Sequence, residues 1–165
     1  LLDDSSPVRC SAAIGLITGL GPDAAAAVPR LIEVHKKGTW DTRHMNALAA
    51  IGPAASAAIP ALEKYAAKDT PTPEQANSLY ALYCIRDELA DLRKIVALLT
   101  DAKVDTETER HVAKLLNQLG AQAGPVAEEI RRLLESGTPS ALQEELKSFL
   151  EKVEKGEEPG VSFEW

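Results

Sequence analysis

The chain has 165 residues, of which 45% are hydrophobic, 26% charged and only 4% aromatic. That length suits one domain with a sizeable core, and the apolar content is too high for a disordered chain. Lys and Arg total 18 against 25 Asp and Glu, a formal charge of −7, so no strong basic field exists to hold nucleic acid.

No apolar run approaches the roughly 20 residues that span a bilayer. Alanine is abundant and aromatics are few, which points to closely packed helices with small contact residues. The opening Leu1-Leu2-Asp3-Asp4 has no Met, basic segment or signal-like apolar run. It reads as the end of an earlier helix, and hence the chain as a piece of a longer protein.

Taken in order, Ser6-Pro7 sets a capping residue before a proline at a first helical position. The helix that follows carries Ile14, Ile17 and Leu20 on one face and ends at Gly21, where a left-handed residue is wanted. A second helix carries Val28, Leu31 and Val34, with Pro29 in its pattern, so its first turn is expected to be kinked or to start late. Trp40 falls in the next loop, either an exposed anchor or a plug under the loop, just before the candidate cap Asp41.

The whole arrangement then returns. Gly52-Pro53 repeats Gly21-Pro22 after 31 residues, framed by Met45, Leu48, Ile51 and by Ile59, Leu62, Tyr65 around Pro60. Thr72-Pro73 opens a third copy with Leu79, Leu82, Ile85 and Leu92, Ile95, Leu98. It has lost the Gly-Pro, and Asp87 and Arg93 stand where the prolines should be. A fourth copy, capped by Asp105, has Ala113, Leu116, Leu119, then Gly120, then Ala127, Ile130 and Leu133. Thr138-Pro139 opens a last helix, 139–155, with Leu142, Leu146, Phe149, Leu150 and Val153 on one stripe and Glu144, Glu145, Glu151 and Glu154 elsewhere. Residues 156–165 form a polar tail in which Val161, Phe163 and Trp165 alternate, either loose or an extended docking segment.

Spacing by three and four is the period of a helix, not of a strand. A helix pair with one apolar stripe per helix cannot bury itself, whereas stacked pairs share a continuous core. The expectation is an all-α domain over 1–155, about four helix pairs closed by the capping helix 139–155, with a tail at 156–165.

The segment Leu20-Gly21-Pro22-Asp23-Ala24 through Val28-Pro29-Arg30-Leu31 resembles the bacterial HEAT repeat of the phycobilisome-lyase-like subtype. Asp4 with Pro7-Val8-Arg9 looks like the entry to its first helix, and Ile51-Gly52-Pro53 through Leu62 is a second strong copy. The resemblance spans roughly residues 1–136. It implies a right-handed α-solenoid acting as a non-catalytic scaffold or protein-interaction module. The alternative it implies is an accessory domain positioning a covalently linked enzyme, for example a secreted sulfatase-like hydrolase. Enzymatic relatives fit poorly. The deoxyhypusine hydroxylases need repeated His-Glu pairs, but His35, His44 and His111 precede Lys36, Met45 and Val112; the alkylpurine glycosylases need an aromatic cleft and a basic face.

The three histidines share no metal-ligand spacing and read as surface or packing residues. Cys10 and Cys84 lie two units apart, about 20 Å at the usual helix spacing, too far for a disulfide. They are expected as free, buried thiols, which fits a reducing compartment. Gly19-Leu20-Gly21-Pro22 lacks the Lys-Ser/Thr and preceding strand of a phosphate loop. Glu107, Glu109, Glu128 and Glu129 read as first-turn residues favoured by the helix dipole. No catalytic constellation, metal site or cofactor site is expected.

Second helices of such units usually line the concave face. Their charged residues include Arg30, Glu33, Lys37, Lys64, Lys68, Arg93, Lys94, Arg131 and Arg132; all of these but Lys94, together with Trp40, make the candidate protein-binding set. The aligned position Glu33, Lys64, Ala97, Arg132 forms no charge ladder, so a regular polymer ligand is disfavoured. A mixed-charge groove and a plain solvated face both fit. The expected partner is a protein or a neighbouring domain, with no nucleic acid and no membrane span, on a monomer.

Overall fold

The computed structural model describes residues 7–36, 41–137 and 140–158, which form helices joined by short loops, with no strand among them. The elements are α1 (Pro7–Leu20), α2 (Val28–Lys36), α3 (Thr42–Ile51), α4 (Ile59–Ala66), α5 (Pro73–Arg86), α6 (Leu89–Leu98), α7 (Thr106–Leu119), α8 (Ala127–Glu135) and α9 (Ser140–Lys155). Tight 3-10 segments, Gly21–Ala27, Gly52–Ala58 and Gly120–Val126, join the first helix to the second in three of the four pairs.

Local chemistry sets these boundaries. Asp41 accepts from the backbone nitrogens of Arg43 and His44, Thr72 Oγ1 from Gln75 N at 3.2 Å, and Asp105 Oδ1 from Thr108 N at 2.7 Å. Each satisfies an amide that the helix itself leaves orphaned. The caps expected at Ser6 and Thr138 lie outside the described residues. Gly21, Gly52 and Gly120 turn the chain at φ +56°, +69° and +53°. Pro29 and Pro60 are each the second residue of their helix, so the helices start late, as expected, and the missing N–H costs nothing there.

The third pair departs from the expectation. Asp87, not a proline equivalent, takes the left-handed position at φ 55°, and Glu88 leads straight into α6 with no 3-10 segment. Asp is among the few side-chain-bearing residues that adopt this conformation readily.

The first helices touch in succession, α1 with α3, α3 with α5, α5 with α7 and α7 with α9. Two apolar clusters meet at α5. Ile14, Leu31, Met45, Leu48, Ile51, Leu62, Leu82 and Ile85 belong to one, and Leu79, Tyr83, Leu92, Ile95, Leu116, Ile130, Leu146 and Phe149 to the other. Because α5 serves both, it is buried nearly all round, including Asn77 and Ser78. The aligned apolar rows are buried or half-buried with one exception: Leu20 is 57% exposed. It lies on the outer side of α1, against which no described helix packs.

α9 packs on α7, α8 and the Gly120–Val126 segment, burying Leu142, Leu146 and Phe149. Past its end, Glu157 O accepts from Ala121 N at 2.8 Å, so the start of the tail is tied down; Val161, Phe163 and Trp165 lie outside the described residues.

Two helical stretches, Val8–Val34 and Thr42–Ala66, are long and apolar enough by length and composition alone to cross a membrane, which the sequence reading did not anticipate. Both are broken by a left-handed glycine, and 56% of the second is buried inside the molecule. A core helix passes the same test of length and composition.

Candidate functional site

The charged residues of the second helices lie largely at the surface. Arg30 pairs with Glu33 one turn on in α2. Lys68, just past α4, sits 4.7 Å from the Tyr65 ring centroid, a cation–π contact. Lys64 is exposed and has no ion pair among the described residues. Arg93 reaches from α6 to Glu129 of α8 at 3.2 Å. Arg131 is held by Glu128 at 3.3 Å and by Glu154 of α9 at 3.0 Å, while Arg132 stands 3.9 Å from Glu128. Lys94 lies 3.8 Å from Asp91. Lys37 and Trp40 lie outside the described residues, as does the side chain of His35.

The expected set is therefore brought together only in part. Arg93 and Arg131 bridge neighbouring elements, and Arg30 and Arg132 pair within their own helices. Glu107 and Glu109 occupy the first turn of α7, and Glu128 and Glu129 that of α8, as expected for the helix dipole.

A charged cluster that the sequence reading missed lies at the broken third pair. Arg86, the last residue of α5, grips Asp91 of α6 with two hydrogen bonds, 2.6 Å to Oδ2 and 2.9 Å to Oδ1. It also reaches Glu63 of α4 at 3.0 Å and Glu88 at 3.5 Å. Asp91 is completely buried, and the hydrogen bond to it raises the Arg86 pKa further above its usual value. The only hint in sequence is an Asp in the first turn of α6, beside the apolar Leu92 and Ile95 and opposite an Arg across a helix break.

His111 of α7 was expected as a surface or packing residue. It lines an open cleft of about 360 Å³ with Thr42, Pro73, Glu107, Arg110 and Lys114. Its Nε2 meets the Asn77 amide nitrogen, which also donates to Pro73 O at 2.9 Å, so Nε2 acts as the acceptor. Burial and the nearby Lys114 lower its pKa, against the opposing pull of Glu74 and Glu107. Both effects disfavour the protonated ring.

His44 serves the α3 cap, its Nδ1 lying 2.8 Å from Asp41 Oδ1. Burial alone would raise the Asp41 pKa, but hydrogen bonds from His44 and Arg43 outweigh it and hold the carboxyl far below its ordinary value. Cys10 and Cys84 are free thiols, half-buried rather than fully buried. Burial pushes Cys84 up to about 12, which removes its thiolate character. Among the described residues no three His, Cys, Asp or Glu side chains are grouped to hold a metal ion.

Compared with protein-family models, with curated proteins and with solved structures, the chain matches none.

Proposed function

We propose that this chain is a right-handed α-solenoid of HEAT-like helix pairs that works as a non-catalytic scaffold, binding a protein partner along its second helices. The observation that carries the reading is the mixed, exposed charge on α2, α4, α6 and α8, where Arg93–Glu129 and Arg131–Glu128 are ion pairs at the surface. Exposed pairs of this kind contribute only about 0–1 kcal/mol each, so a partner's charges can replace them at little cost. Lys64, exposed on α4, is a cation ready for an incoming carboxylate. Arginine is also the charged side chain that most often anchors protein interfaces.

The test is affinity capture from source cells with the wild-type chain and with a Lys64→Glu/Arg93→Glu variant. These positions are exposed, so the variant should keep the wild-type melting curve. A partner retained by the wild type and lost by the variant supports the reading. Equal capture by both, or no specific partner, would sink it.

A further inference from the structure

α5 and α7, the first helices of the third and fourth pairs, are tied by a polar contact between Asn77 and His111. Asn77 is fully buried and its amide is pinned: Nδ2 donates one hydrogen to Pro73 O at 2.9 Å, a turn back in α5, and the other to His111 Nε2. The second bond needs a lone pair, so it exists only while Nε2 is unprotonated. A proton there sets N–H against N–H. Turning the amide over does not repair the clash, because Oδ1, buried and without a hydrogen-bond partner among the described residues, would then face the Pro73 oxygen. The imidazole, by contrast, has somewhere to go. It also lines the open cleft of about 360 Å³, with Glu107 and Lys114 a turn away on either side along α7, Arg110 beside it, Pro73 of α5 and the uncharged Thr42 of α3. Glu107 and Glu74, the second residue of α5, favour a positive ring, and Lys114 opposes it.

We propose that Asn77 and His111 form a pH-sensitive latch between the third and fourth pairs: protonation at Nε2 ejects the imidazole from the Asn77 contact and turns it into the cleft, beside Glu107. The latch is closed while the ring is neutral. Burial and Lys114 disfavour the protonated ring, so opening belongs below about pH 6.5. It places a positive charge in the cleft and removes a polar tie between the two first helices. The apolar contacts of Leu79, Val112 and Leu116 in the shared core do not titrate, so the helices stay stacked and the change is local. His44 offers the contrast: its Nδ1 lies 2.8 Å from the Asp41 carboxylate, an acceptor with which a protonated ring is compatible. Of the two buried histidine contacts, the one at His111 is built against the proton.

The experiment is an NMR titration of the isotope-labelled full chain from about pH 8 to about pH 5, which brackets the ordinary imidazole value. At the alkaline end Nε2 should carry no proton, and the ring should show Overhauser contacts to the Asn77 side-chain amide. As His111 titrates, those contacts should vanish with the same midpoint and new ones to the Glu107 side chain should appear, with circular dichroism unchanged. Asn77→Asp supplies an acceptor, so it should hold the protonated ring in place and raise the His111 midpoint by about 1–3 pH units. That variant buries a carboxylate; if it does not fold, the wild-type titration decides alone. A proton on Nε2 at the alkaline end overturns the proposal. So does a ring that keeps its Asn77 contacts once protonated, or unfolding of the whole chain at the same midpoint. A folded Asn77→Asp chain whose midpoint is no higher than that of the wild type overturns it equally.

Discussion

Arg86 and Asp91 share a bond but not an environment: the guanidinium is 22% exposed and the carboxylate fully buried. Removing the arginine leaves a buried carboxylate with only Lys94 at 3.8 Å. Removing the aspartate leaves an arginine that reaches water and still has Glu63 and Glu88. Arg86→Met should therefore cost about 3–5 kcal/mol and Asp91→Asn about 1–3 kcal/mol. Denaturant melts of the two variants check this, and an equal or inverted order would contradict it. His111 supplies a pH dependence. Its folded pKa lies below the ordinary imidazole value of about 6.5, so the unfolded chain takes up this proton first as pH falls. Its contribution is full above that value and is lost as pH drops through the folded pKa. Urea midpoints between about pH 7 and about pH 5 should decline, and His111→Gln should flatten the decline; an equally steep curve in the variant would count against it. Of these features the sequence shows only the caps, because Asp41, Thr72 and Asp105 act within three residues of themselves. The Arg86–Asp91 grip depends on how the chain turns at residue 87, which no local rule encodes.

At the scale of elements, three helix ends share a left-handed glycine but differ in what surrounds it. A Cβ on Gly52 would make ordinary contact, 3.8 Å from Cys84 O, whereas one on Gly120 would meet Glu157 O at 2.5 Å. Gly52→Ala should cost the left-handed strain alone, about 1–2 kcal/mol. Gly120→Ala should cost more, since the backbone at 156–158 must also move. Deleting residues 156–165 should bring the two costs together, and thermal melts of the four proteins test this. A gap that persists after the deletion would contradict the role given to Glu157. Helix existence and the two positions of Gly-Pro were legible because period and punctuation are local signals. The third junction was misread: Asp87 holds the glycine position, and only its backbone angle reveals that.

For the whole molecule, the row of first helices from α1 to α9 and the two clusters meeting at α5 follow from an apolar frame that recurs about every 31–35 residues. Their order and burial could be read from that frame; the exposure of Leu20 could not, because a row assigns equal status to all its members. The second-helix charges were legible as a list, but whether they pair within a helix or across elements depends on side-chain reach. If the pairs are interchangeable units of a solenoid, stability is close to a sum over units and their nearest-neighbour contacts. The most direct test is to insert a second copy of residues 42–72 after residue 72 and follow unfolding by circular dichroism. The account predicts a longer chain with undiminished helicity per residue, a cooperative transition and a melting temperature at or above that of the parent. Loss of cooperativity, or an inserted unit that proteases remove at once, would show that these helix pairs are not stacking repeats.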